Sequence, residues 1–160
     1  FIKQLAKKGY NIIVRPHPYS MLYEKGFIKK CRIELEKNKN LTWDNSVDPS
    51  ESMNKSDLLI SDTSSLRFDF FLVHEKPVIT LDIKTSEMKG YEREFLDKNW
   101  TDSSSLEIGP LITKETIHTL DHEINKLLSV FDRSKALKYR DNTLFNFGNG
   151  ASSITNYFQY

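Results

Sequence analysis

Two short stretches carry residue types that can do chemistry. The first is Val14-Arg15-Pro16-His17-Pro18. A guanidinium can grip a phosphate with two N–H groups, and an imidazole can donate a hydrogen bond or shuttle a proton near neutral pH. The flanking prolines restrict the backbone, which limits the ordering cost of binding. The plainer alternative is a rigid loop whose His17 only bonds a backbone carbonyl. The second stretch is Ser61-Asp62-Thr63-Ser64-Ser65, between the apolar run Leu58-Leu59-Ile60 and the helix-compatible Leu66-Arg67-Phe68-Asp69-Phe70. Backbone N–H groups at a helix start are unpaired and partly positive, so a strand, a hydroxyl turn and a helix can together hold a phosphate. One helix cap needs one Ser, Thr or Asp, whereas five polar residues run consecutively from Ser61, an excess that favours a ligand. Asp69, one turn into that helix, either pairs with Arg15 or Arg67 or faces solvent.

A third group, Gly148-Asn149-Gly150-Ala151-Ser152-Ser153, puts glycines before a small-residue helix start, where a phosphate can approach the backbone. Taken alone, an ordinary loop-to-helix turn explains it. His118 and His122 have the i, i+4 spacing of a zinc pair, but no third ligand lies near them in sequence, and a solvated helix face accounts for both. No acidic cluster suited to Mg²⁺ stands out. Neither a metal nor a cofactor is expected.

The elements that must position these groups alternate. A helix carries Phe1, Ile2, Leu5 and Ala6, and Gly9 can end it. Strands are expected at 11–14, 41–43, 57–60 and 77–81, with a last short one at Leu106-Glu107-Ile108. Helices are expected at 23–37, 48–55, 64–73, 114–130, 133–140 and 151–157. From Asp82 to about Ser105 the periodicity is lost, and a long polar loop is expected there. Strands that are apolar throughout and alternate with helices indicate a parallel sheet covered on both faces. Ligands bind such sheets beyond the carboxyl ends of the strands, which is where Arg15–Pro18 and Ser61–Ser65 fall.

The 160 residues fit a single domain spanning 1–160. With 23 basic and 22 acidic side chains, the formal net charge of +1 gives no electrostatic case for nucleic acid. A hydrophobic content of 38% supports a packed core and excludes a disordered segment. The single cysteine, Cys31, precludes an internal disulfide and fits a reducing compartment. No apolar run approaches membrane-spanning length. The Lys-rich stretch from Glu24 to Lys39 reads as a solvated face, with a peripheral membrane contact as its alternative. A chain that opens at Phe1 inside a helix feeding a strand reads as a piece of something longer.

The ordered set of Val14-Arg15-Pro16-His17-Pro18, Ser56-Asp57-Leu58-Leu59-Ile60-Ser61-Asp62-Thr63-Ser64-Ser65, Phe68-Asp69-Phe70 and Lys76-Pro77-Val78-Ile79 resembles the CDP-glycerol glycerophosphotransferase family. These are polymerases and primases of teichoic acid and capsule. Gly148-Asn149-Gly150-Ala151-Ser152 also resembles the family's small-residue motif before its last helix. Thr63 stands where the family often has Tyr.

The resemblance implies a two-domain GT-B enzyme, of which this chain would be most of the Rossmann-like, carboxyl-terminal donor domain. The domain that should carry acceptor binding and a catalytic base would lie outside it, as would the donor domain's first strand. By resemblance, His17 would contact the donor diphosphate and act in catalysis by neutralising charge on the leaving phosphate. Ser64 and Ser65 would bind the diphosphate, with Arg15, Thr63 and Ser152 among its contacts. Asp62, Asp69 and Gly150 would support the site. The implied partners are CDP-glycerol or a related nucleotide donor and a polymer or lipid-linked acceptor. The implied location is the cytoplasm, peripheral to the inner face of the membrane. Two rivals share the phosphate site or the fold. One is a GT-B glycosyltransferase using a nucleotide-sugar. The other is a non-enzymatic α/β module that binds a phospho-ligand. A receiver domain would need an acidic pair where Arg15 and His17 stand.

Overall fold

The computed structural model describes residues 1–62, 64–82 and 104–158. They divide into two compact units, one built from residues 1–56 with 115–121, the other from 57–114 with 122–160. Both units contain parallel strands and helices, so the class is α/β. The strands form two sheets, one of two strands and one of three.

The first unit contains α1 (Ile2–Lys7), β1 (Ile12–Val14), α2 (Pro18–Tyr23), α3 (Lys25–Leu35), β2 (Leu41–Trp43) and α4 (Ser50–Lys55), with a 3₁₀ turn at Ile117–Thr119. Helix α1 buries Leu5 and Ala6 and stops where expected. Gly9 takes φ 91°, which a side chain would disfavour. Its amide bonds the Ala6 carbonyl at 3.1 Å and the Tyr10 amide bonds Leu5 at 3.3 Å, the paired bonds of a Schellman end. Strands β1 and β2 are parallel, with Ile12 opposite Leu41 and Val14 opposite Trp43. Asn40 ties them to α1 by donating to the carbonyls of Ala6 (2.8 Å) and Tyr10 (2.7 Å).

The helix expected over 23–37 is found as α3, and a second helix, α2, precedes it where the paired prolines argued for an extended loop. Pro18 opens α2. At the first helical position its missing N–H costs nothing, and only the residue before it must stay extended. His17 does so, with φ −60° and ψ 142°.

The second unit holds β3 (Leu59–Ser61), α5 (Leu66–Leu72), β4 (Val78–Leu81), α6 (Ser105–Ile108), β5 (Leu111–Ile112), α8 (Arg133–Thr143) and α9 (Gly150–Tyr157). Helix α7 (Leu120–Val130) spans the boundary between the two residue sets. Strand β4 lies between β3 and β5, parallel to both. Val78 and Ile79 of this central strand are fully buried, which is why it reads as a continuous apolar run. Burying side chains of this size contributes about 1.5–3 kcal/mol each.

Helix α5 buries Phe68, Phe70, Phe71 and Leu72. Phe71 meets Phe131 and Tyr139 edge-on, at 6.4 and 5.8 Å between centroids. Glu75, at φ 55°, follows α5 and pairs with Arg133 and with Arg140, the latter at 2.8 Å. Those pairs hold its carboxyl below the usual carboxylate range, with Arg133 the larger cause.

The last strand was expected at Leu106-Glu107-Ile108. That segment is helical, and the strand follows it at Leu111–Ile112. A three-residue apolar run is too short for periodicity to separate the two states. Between them, Gly109 lets the chain pass hard against β4, since a Cβ there would lie 1.9 Å from the Val78 carbonyl oxygen. The helix expected from Lys114 begins later, with the 3₁₀ turn and then α7. Thr63 and most of the expected 82–105 loop fall outside the described residues.

Candidate functional site

At the exit of β1, Arg15 turns toward its own unit. Its Nη1 donates to Asp44 Oδ2 (2.6 Å) and Ser46 Oγ (3.0 Å), and its Nη2 donates to the carbonyls of Ser46 (2.7 Å) and Val47 (2.8 Å). The fork thus clamps the loop that leaves β2. Asp44 is the hub of that loop. The Ser46 hydroxyl, then the Ser52 hydroxyl and the Ser46 amide, hold its carboxyl far below the usual range, and Arg15 adds to the effect.

His17 does the opposite and stays exposed. Its Nδ1 accepts the Tyr19 amide at 3.1 Å and caps α2. A ring nitrogen that accepts an N–H carries no proton, so the neutral ring bears its proton on Nε2. That N–H makes no bond to a described residue and is available to a ligand.

In the second unit, β3 ends at Ser61, and Asp62 bends the chain by accepting the Ser64 amide at 3.0 Å. The Ser64 hydroxyl oxygen accepts the Leu66 amide at 3.4 Å, which leaves its own proton free to donate. Ser65 is exposed, and neither its amide nor its hydroxyl bonds a described residue. The turn therefore offers two hydroxyl donors and one backbone donor.

Behind the turn sits Arg67, which is fully buried. Its Nε donates to the Ser64 carbonyl (2.9 Å), and its Nη1 to Thr80 Oγ1 (3.0 Å) and Ser105 Oγ (2.7 Å). The sequence marks Arg67 only as a cation inside an apolar helix. Its fully buried position is the feature that periodicity misses.

The sequence of the CDP-glycerol:poly(glycerophosphate) glycerophosphotransferase family matches residues 1–142. The chain belongs to that family. No curated protein and no solved structure matches it. Its function is of the glycerophosphotransferase type, a transferase reaction whose partners are in general a nucleotide-linked donor and a polymer acceptor. Both strand-end groups lie inside the matched span, whereas Gly150 and Ser152 lie beyond it.

Among the remaining candidates, Asp69 is exposed at the outer side of α5, which selects the solvent-facing alternative. Ser152 is exposed, and its hydroxyl donates back to the Asn149 carbonyl at 2.9 Å. Gly150 opens α9 with open space where a Cβ would stand. His118 Nδ1 lies 2.9 Å from the Glu115 carbonyl oxygen. Among the described residues, no three His, Cys, Asp or Glu side chains group closely enough to hold a metal ion, and no helix is long and apolar enough to cross a membrane.

Proposed function

We propose that this chain is the donor-binding domain of a transferase that moves glycerol phosphate, or a related alditol phosphate, from its CDP carrier to a hydroxyl of a cell-wall or capsule polymer. The family match over residues 1–142 carries the reading. The unspent donors of both strand-end groups support it, because a diphosphate needs donors of this kind. His17 Nε2 supplies one group, and the Ser64 hydroxyl with the Ser65 hydroxyl and amide supplies the other. Arg15 supports the β1 exit by fixing the loop that leaves β2.

An acceptor hydroxyl attacks the distal phosphorus of the donor, that phosphorus keeps its glycerol, and CMP leaves with the bridging oxygen. Such transfers rest on positioning and on neutralising charge at the leaving phosphate. In this reading the chain is one GT-B-like half. Acceptor binding and the catalytic base belong to a preceding domain, and the whole enzyme works at the cytoplasmic face of the membrane.

Calorimetry with CDP-glycerol, CDP-ribitol, CMP and a UDP-sugar tests the donor class. A cytidine ligand is expected to bind most tightly, and tighter binding of the UDP-sugar overturns the assignment. His17→Ala and the double variant Ser64→Ala/Ser65→Ala are each expected to weaken CDP-glycerol about tenfold or more, the cost of lost hydrogen bonds to a charged group. Unchanged affinity in both removes these residues from the site.

A further inference from the structure

We infer that Arg67 is a positioning residue: its buried guanidinium turns the Ser64 carbonyl inward and so aims the Ser65 amide at the donor diphosphate. The inference deepens the function proposed above and rests on it. The starting point is the peptide plane. In a trans peptide the carbonyl of one residue and the N–H of the next point in opposite directions. Whatever holds the Ser64 carbonyl therefore also aims the Ser65 N–H.

Two groups hold that carbonyl, and both belong to Arg67: its side-chain Nε at 2.9 Å and its backbone amide at 3.3 Å. The guanidinium is itself fixed by Thr80 Oγ1 and Ser105 Oγ. Thr80 is the register partner of Ser61, the last residue of β3. A closed chain of contacts thus runs from Ser61 across the sheet to Thr80, through Arg67 to the Ser64 carbonyl, and so fixes the direction of the Ser65 amide.

The two peptide groups around Ser64 are treated differently. The Ser64 amide is spent on Asp62, whereas the Ser65 amide bonds no described residue. The turn thus presents one chosen backbone donor, with the Ser65 hydroxyl on the same residue. A planar fork suits this task. It reaches a carbonyl and two hydroxyls at fixed angles, which the single point of an ammonium cannot reproduce. A donor held in place before binding saves the ordering cost at the moment of binding.

The test uses the full-length enzyme with CDP-glycerol as ligand. Arg67→Lys keeps the charge and loses the fork. It is expected to raise the CDP-glycerol Kd about tenfold and to abolish the shift that CDP-glycerol causes in the ¹⁵N–¹H resonance of the Ser65 amide. A purely structural role would lower the melting temperature and leave that resonance responsive in the folded fraction. Should Arg67→Lys not fold, Thr80→Val combined with Ser105→Ala removes the two anchors and is expected to act in the same direction, by about threefold.

A folded Arg67→Lys, or a folded anchor variant, with the wild-type Kd and the wild-type Ser65 response overturns the inference. Ser64→Ala/Ser65→Ala separates the two levels. If it leaves the Kd unchanged, the donor site is misplaced and the inference falls with it. If it weakens binding while the Arg67 and anchor variants bind normally, only the assignment of Arg67 falls.

Discussion

The exits of β1 and β3 solve one problem with the same parts arranged in opposite sequence order. Each has an arginine turned inward and, two residues away, a smaller side chain turned outward. At β1 the arginine comes first and His17 follows. At β3 Ser65 comes first and Arg67 follows. The two arginines differ in setting. Arg15 is only partly buried and closes on a carboxylate, a hydroxyl and two carbonyls of a surface loop. Arg67 is fully buried and reaches a carbonyl and two hydroxyls. In this chain arginine frames each strand exit, and its neighbour faces outward. That division explains why the residue best suited to grip a phosphate is, at both places, engaged elsewhere.

Removing each arginine in turn separates the two strand exits by the largest margin. Arg67→Met removes the charged donor from the part-buried Ser64 carbonyl and from the buried Thr80 and Ser105 hydroxyls, and each hydrogen bond lost from a charged group costs about 1.5–3 kcal/mol. A loss of about 3 kcal/mol or more in urea denaturation is expected. Arg15→Met, at a partly exposed position where water can replace the lost donors, is expected to cost about 1 kcal/mol. Equal losses would show that burial does not distinguish the two frames.

A smaller effect separates them by pH. Asp44 is depressed in the folded state, so its contribution is fully present above the unfolded carboxylate value of about 3.9 and is lost as pH falls through its lower folded value. The stability of wild type is therefore expected to fall below about pH 4, and Asp44→Asn is expected to flatten part of that slope. Denaturation midpoints between about pH 6 and pH 2 measure it. Identical slopes in the two proteins would show that Asp44 does not carry the acid sensitivity of the β1 exit.

Much of this was legible in the sequence where the signal is local. The Gly9 stop, the apolar β4 and the placement of both polar groups at strand exits follow from patterns a few residues long. The frames were not legible, because their bonds join residues far apart in sequence. Arg15 meets Asp44 across 29 positions, and Arg67 meets Ser105 across 38. Nothing local marks Arg67 as buried, since an arginine within a helix is ordinarily exposed. The shift of the last strand from 106–108 to Leu111–Ile112 has a different cause. Ser105–Ile108 and Leu111–Ile112 are too short for any period to repeat, and the close pass of Gly109 against Val78 decides which of them pairs with β4.

The smallest expected effect bears on whether the outward residue carries ligand binding independently of structure. His17 has two nitrogens with two jobs: Nδ1 caps α2 and Nε2 is free to donate. His17→Asn keeps a good cap, because an Asn oxygen can also accept the Tyr19 amide, and replaces the Nε2 donor with an amide N–H₂ that reaches less far from the backbone. His17→Ala removes both. The alanine variant is expected to lose about 0.5–1 kcal/mol of stability and the asparagine variant almost none, while both lose CDP-glycerol affinity to a similar degree. Melting temperatures and calorimetric Kd values on the same samples separate the two jobs. If the asparagine variant recovers affinity along with stability, His17 acts only as a cap, and the exit of β1 becomes all frame with no outward residue.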